Sequence, residues 1–429
     1  MPDRLKSLND VAWEKLFEKY DILNQIEAKG RFEISAPMIK EFREPRLMAK
    51  FDQSINLPKI FQKNNLSILP ISRGEYVISH FDVYHRFDSV EVQTTKVSLP
   101  AYIQSLNSTS ITSESLALNL ALASGIIAQF LEDESIVPTV SGRMGSGCFT
   151  FNIWNKKEKA PFSVQVTNSQ IEIDAGYEGI HGLALFEAKL DIAEDFLVRQ
   201  LYYPYRLWQP KIPKNVRSVF LVYSNGIYSL YEYAFDDILD YGSLALKTRK
   251  NYSIDDTSIE LSDIQNVFRK LIPSKEHEIP FPQADSFPRV INLCELLYPQ
   301  DLNRNDITER YAFDARQTNY YTDAARYLGL IEKRKDTLPL YSLSDTGKRV
   351  LNMPYKERQL AYCACILSHI AFGDTFRKYL VDYKMPSTDE IIGIMKGSDL
   401  YNIESESTFK RRASTIKSWV NWIINLTKT

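Results

Sequence analysis

"QIEIDAGYEGIHGLALFEAKL", residues 170–190, decides how this chain is read. Its two ends alternate apolar and other residues, the pattern of neighbouring strands. Side chains alternate faces along a strand, so Leu183, Leu185, Glu187 and Lys189 point one way and Ala184, Phe186 and Ala188 the other. In the preceding run Ile171 and Ile173 share one face, and Glu172 and Asp174 the other. Opposite charges in line with two leucines are either a structural ion pair or a site awaiting a ligand. Adjacent strands offering Asp174 from one, and Glu187 and Lys189 from the other, can converge on one point. Two carboxylates suit Mg²⁺, which keeps several waters and accepts substrate phosphate oxygens as well. A lysine beside them positions a nucleophile or stabilises charge developing on the phosphate. Glu178, further along the strand, is a rival or additional metal-binding acid.

The rest of the chain is ordinary in composition. At 429 residues, 44% hydrophobic and 25% charged, it can build two to four packed domains. A net charge of −2 argues against a uniformly basic nucleic-acid coat but leaves room for a local basic face. Cys148, Cys294, Cys363 and Cys365 have no paired-ligand spacing and read as reduced packing residues. "MPDRLKSLNDVAWEKLF" lacks a signal-peptide core, and the longest apolar run, "LALNLALASGIIAQFL", is broken by Asn119 and Ser124. The expectation is a soluble cytoplasmic protein, without a membrane partner.

The pattern divides the chain into an N-terminal α/β accessory segment (1–135), a strand-rich segment (136–285) and two helix-rich segments (286–355 and 356–429). The strongest early helix covers about 114–131. "DIAEDFLVRQLYY" (191–203) reads as a helix stopping near Pro204, with Ala193, Phe196, Leu197, Gln200 and Leu201 on one face. Gln200 then sits in an apolar stripe facing the sheet, where its amide is within reach of a lysine, a water or a phosphate. Asn225-Gly226 marks a hairpin. Pro273, Pro280, Pro282 and Pro288 punctuate a linker. Beyond it, helix, turn, helix and a short ribbon ending in "TGKRV" follow the winged-helix order, with a second unit of the same flavour to the end.

DNA-reading candidates lie outside the central strands. Arg316, Gln317, Asn319, Tyr320 and Arg326 cluster on one expected helix, where Arg, Gln and Asn can read base edges in the major groove. Lys333, Arg334 and Lys335 stand where a wing would begin, and Lys410, Arg411, Arg412 and Lys417 make a phosphate-binding stripe or merely a soluble face. Arg143 sits in "SGRMGSG", a glycine-bracketed loop that permits close approach to DNA. Arg43, Arg46, Lys50 and Arg73 form a weaker N-terminal basic set.

An aspartate, an interval, then Glu-x-Lys at the end of an apolar strand resembles the PD-(D/E)XK nucleases, except that Ile173 replaces the proline before the aspartate. Across most of its length, through "EPRLMAKFD", "NNLSILPISRGEYVI", "SGRMGSGCFTFNI", "IEIDAGYEG", "LFEAKL", "DFLVRQLYYPYR", "FDARQTNYYTDAARYLGLI" and "RRASTIKSW", the chain resembles type II restriction endonucleases with that core and C-terminal winged-helix units. The resemblance implies an α/β (α+β) fold, a mixed sheet flanked by helices, and Mg²⁺-dependent cleavage of double-stranded DNA at a short site. Asp174 and Glu187 would hold the metal, with Lys189 the catalytic lysine. The implied partners are the DNA, a cognate DNA methyltransferase that protects host DNA and, because symmetric sites favour twofold symmetry, a homodimer. Two rival readings are a winged-helix DNA-binding regulator with a non-catalytic nuclease-like domain, and a DNA repair nuclease.

Overall fold

The computed structural model describes residues 7–88, 92–109, 111–276, 278–310, 313, 315–334, 339–401 and 403–428. Its centre is a seven-stranded mixed sheet whose spatial order is Thr94–Lys96, Leu244–Ser253, Ile227–Phe235, Asn215–Ser224, Gly182–Lys189, Gln170–Glu178 and Val137–Gly145. Gly182–Lys189 runs parallel to Asn215–Ser224 and antiparallel to Gln170–Glu178. A parallel neighbour needs a crossover, and the helix Arg199–Trp208 lies on that connection. Alternation along Gly182–Lys189 feeds two cores. Leu183 and Leu185 pack with Ile171, Ile173 and Leu201, while Ala184, Phe186 and Ala188 pack with Leu118, Ile126, Ile127 and Phe130. Burying each leucine contributes about 1.5–3 kcal/mol, which fixes the register that carries Glu187 and Lys189.

Several expected elements differ in detail. The helix at 114–131 is two helices, Glu114–Ala123 and Ile126–Leu131, and both pack on the sheet. They therefore belong to the sheet's unit and not to the N-terminal one, whose own core (Trp13, Phe17, Phe61 and neighbours) closes by Ile78. "DIAEDFLVRQLYY" is not one helix. Asp195–Leu197 pairs instead as a strand with Tyr84–Arg86, and the helix starts at Arg199 and runs through Pro204. The hairpin is as expected: Asn225 and Gly226 have φ of 53° and 81°, the pairing a type I′ turn requires.

The C-terminal part has a single core that reaches from Ile259 to Leu426, so 286–355 and 356–429 pack as one body. The proline-punctuated linker is seated on that core: Phe281 and Ala284 are buried, and Trp419 Nε1 donates to Ala284 O at 2.6 Å. The order is helix Phe287–Leu296, strand Leu302–Asn303, helices Arg304–Arg310 and Ala315–Tyr327, strands Ile331–Arg334 and Leu340–Leu343, and helix Asp345–Leu351. "TGKRV" lies in that last helix, because Ser344 caps it by accepting from Gly347 N. The remainder is four helices and holds no strand among the described residues. Phe409, Ala413, Ile416, Val420 and Ile423 are buried at helical spacing in the last of them. Cys294 and Cys363 are buried as expected, but Cys148 is exposed on an outer hairpin strand. No helix among the described residues is long and apolar enough to cross a membrane.

Candidate active site

Asp174 marks the point where two strands part. Pairing between Gln170–Glu178 and Gly182–Lys189 stops at Ala175 opposite Phe186. Two residues past Phe186, the Ala188 N–H turns to a side chain and donates to Asp174 Oδ2 at 2.8 Å. That bond sets the aspartate beside Glu187 and Lys189. Lys189 Nζ donates to Glu187 Oε1 at 2.6 Å, and Gln200 Nε2 donates to the same oxygen at 2.5 Å. Gln200 thus reaches this cluster through Glu187 and not through the lysine, from the second residue of the crossover helix and not from the longer helical stripe.

Electrostatics at this point are those of a crowded, half-dry site. Burial, reinforced by the neighbouring Asp174 and Asp52 charges, pushes the Glu187 carboxyl up to about 7 despite Lys189. Burial opposes the charge on Lys189, yet Glu187, Asp52 and Glu114 outweigh it and hold the ammonium well above the ordinary lysine value. The ammonium form of Lys189 is thereby favoured, which suits it to stabilising negative charge.

Three acids complete the surroundings, and none was singled out from the sequence. Glu114, in the first turn of its helix, lies 3.8 Å from Lys189 Nζ, and burial raises its carboxyl. Asp191 is raised by burial as well and accepts from Gln53 Nε2 at 2.9 Å. Asp52 reaches in from the N-terminal unit. All of these, with Asp174, Glu187 and Lys189, line one cleft of about 1290 Å³.

A divalent cation fits this floor. The buried Oε1 of Gln200 and Oδ1 of Asp52 have no donor, so two acceptors are left open beside Glu187. Among the described residues no three His, Cys, Asp or Glu side chains gather into a complete protein cage. Two carboxylates plus substrate oxygens is nevertheless a usual ligand set for Mg²⁺, and Asp174 and Glu187 would supply it. Glu178 is excluded from this set. It stands opposite Leu183, about 13 Å along the strand from Asp174 at the usual rise per residue, and its carboxylate accepts from Lys214 Nζ at 2.7 Å.

The C-terminal unit grips the chain just past Lys189. Asn292, buried on Phe287–Leu296, donates from Nδ2 to Leu190 O at 2.6 Å and accepts at Oδ1 from Ile192 N at 3.1 Å. On the same helix Glu295 accepts from Ser224 Oγ at 2.6 Å and from Asn225 N at 2.7 Å. Asn292→Ala strands two backbone groups, which costs about 1–3 kcal/mol. The expected result is a thermal midpoint lower by a few degrees; an unchanged midpoint in a melting experiment would refute the grip.

The DNA-reading candidates differ in exposure and in what holds them. Arg316 is exposed and donates from Nε to Tyr320 Oη at 2.6 Å, with Gln317 and Asn319 half-buried on the same helix. Arg326 is tied to Asp323 at 2.9 Å. Burial raises the Asp323 carboxyl, and Arg326, Lys333 and Arg412 draw it back, so three elements meet around it. Lys333, Arg334, Lys410 and Arg411 are exposed beside them, whereas Lys335 lies outside the described residues. Arg412 differs from the expectation. Half-buried, it donates to Gln283 Oε1 at 2.7 Å and so anchors the linker. Arg143 is on an edge strand and not in a loop: Gly142, with φ +88°, sits at an irregularity in the pairing of Val137–Gly145, and Arg143 faces Glu172 at 3.2 Å on the cleft rim.

Three family models match the chain, each described as a domain of unknown function: DUF6996 over residues 10–78, DUF6997 over 79–253 and DUF7226 over 289–428. The three spans follow the three-way division made by the cores. No curated protein matches the chain, and no solved structure does.

Proposed function

We propose that the chain is a Mg²⁺-dependent endonuclease with a PD-(D/E)XK core, cutting double-stranded DNA at a short specific site as the restriction arm of a bacterial restriction–modification system. One observation carries this reading: Asp174, at the parting of two strands, is set by its bond to Ala188 N beside Glu187 and Lys189 on the cleft floor. In this reading Asp174 and Glu187 hold the metal. Bound there, Mg²⁺ would supply Lewis-acid polarisation of the phosphate and an activated water. Lys189, whose ammonium form is favoured by its carboxylate neighbours, stabilises the oxygens on which negative charge accumulates. Gln200 orients Glu187 through Nε2, which leaves its own Oε1 able to accept from a water in the cleft.

Site reading is assigned to the C-terminal unit, whose helix–strand–helix–helix–strand–strand order suits a winged helix. The helix Ala315–Tyr327 would enter the major groove with Arg316, Gln317, Asn319 and Tyr320. Lys333, Arg334, Lys410 and Arg411 would flank it on phosphates. A cognate methyltransferase is the functional partner, and a homodimer would match a symmetric site.

The test is incubation of the purified protein with unmethylated phage DNA, in Mg²⁺ or in chelator, read on a gel. Discrete bands that require Mg²⁺ support the reading, and sequenced ends give the site. Tight binding without cutting under every condition would replace it with a DNA-binding regulator.

A further inference from the structure

The cleft that holds Glu187 and Lys189 is not built by the sheet alone. Residues 44–53 and 70–76 of the N-terminal unit line it too, and Lys50 is near enough to Glu114 to draw its pKa down. We infer that this unit is a backbone-binding wall of the substrate cleft, in which its Arg46 and Arg73, with Arg199 of the crossover helix beside them, each hold a phosphate of the duplex. The inference rests on the nuclease reading for the identity of its ligand as DNA, but it concerns binding and not cutting.

Pairing is the first argument. Four cations around the sheet are matched within the protein: Lys156 with Asp82 at 2.8 Å, Lys247 with Asp236 at 2.9 Å, Lys250 with Glu132 at 3.0 Å and Arg217 with Glu232 at 2.6 Å. Among the described residues Arg46 and Arg73 have no carboxylate at ion-pair distance. The buried Nε of Arg199, whose guanidinium lies over the Tyr203 ring at 5.6 Å, has no acceptor. A guanidinium is a rigid fork of donors matched to phosphate oxygens. Three of them in one cleft without protein acceptors is a demand for anionic oxygens.

Arrangement is the second. Arg46 comes from the helix Pro45–Met48, Arg73 from the turn before Glu75–Ser79, and Arg199 from the start of the crossover helix. Three separate elements spread over a cleft of about 1290 Å³ exceed the roughly 300–1,000 Å³ of a small-molecule site. A polymer that carries repeated phosphates satisfies such an array; a single free phosphate does not.

The experiment measures binding of a fluorescein-labelled duplex of arbitrary sequence, in chelator, over a series of salt concentrations. Each phosphate contact contributes about 0.9 to the slope of log K against log salt, or about 3.5-fold in affinity between 50 and 200 mM. Arg46→Ala and Arg73→Ala should each flatten the slope by about 0.9, and the double variant by about 1.8, whatever the duplex sequence. Arg199→Lys keeps the charge beside Tyr203 while removing the fork, and should weaken binding without flattening the slope. Lys247→Ala, at an exposed paired site, should change nothing. An unflattened slope in the Arg46/Arg73 double variant overturns the inference. So does a wild-type protein that binds single-stranded RNA and not the duplex. A wild-type protein that binds with the expected slopes and never cuts would leave the wall standing and remove the nuclease reading.

Discussion

Lys189→Ala should lose cleavage by a factor of about 10²–10⁴, the size of effect that follows removal of one charge-stabilising group at a reacting centre, while its affinity for DNA stays within about twofold. The expectation follows from position. Lys189 is largely buried, bonded to Glu187 at 2.6 Å and held cationic by three carboxylates, so it contributes little to the exposed field that steers DNA. Single-turnover cleavage and duplex binding, measured side by side, separate the two. A variant that cuts at the wild-type rate would reduce the pair to a structural ion pair.

Glu187→Gln should abolish metal binding and with it a specific pH dependence. Burial first, then Asp174 and Asp52, raise the Glu187 carboxyl to about 7 in the metal-free protein, against an unfolded value of about 4.3. A raised carboxyl makes two statements. The stability it contributes is present below about pH 4.3 and is lost as pH rises through about 7, so this group makes the metal-free protein less stable on the alkaline side. Metal, in contrast, competes with the proton for the carboxylate. Mg²⁺ affinity should therefore climb by up to about tenfold per pH unit below 7 and level off above it. Calorimetric titration with Mg²⁺ at pH 6, 7 and 8 reads this directly. A pH-independent affinity in the wild type, or full affinity in Glu187→Gln, would remove Glu187 from the ligand set.

How much of this was legible in the chain depends on the range of the interaction. The strand bearing Glu187 and Lys189 was readable because alternation is local and both of its faces are buried. Gln200 arrived at the site although the helix that was to carry it is shorter. Phe196 and Leu197 have the apolar spacing of a helix, but pairing with Tyr84–Arg86 took them for a sheet, a tertiary contact overriding local preference. Glu178 and Asp174 share a strand, and only the register with the next strand tells them apart. Asp52 and Glu114 had no signal at all: each is an unremarkable acid in its own segment, brought to Lys189 by packing of the N-terminal unit and the Glu114–Ala123 helix on the sheet. Arg412 looked like its neighbours Lys410 and Arg411, and one helical step turns it inward to Gln283.

In the proposed function Asp174 and Glu187 are metal ligands poised over a phosphodiester. The most direct measurement is diffraction at the manganese absorption edge from crystals of Lys189→Ala grown with a DNA duplex and Mn²⁺. The expected result is an anomalous peak in contact with carboxylate oxygens of both Asp174 and Glu187 and with a phosphate of the duplex. A duplex seated in the cleft with no peak there, or with its metal on other residues, would contradict it.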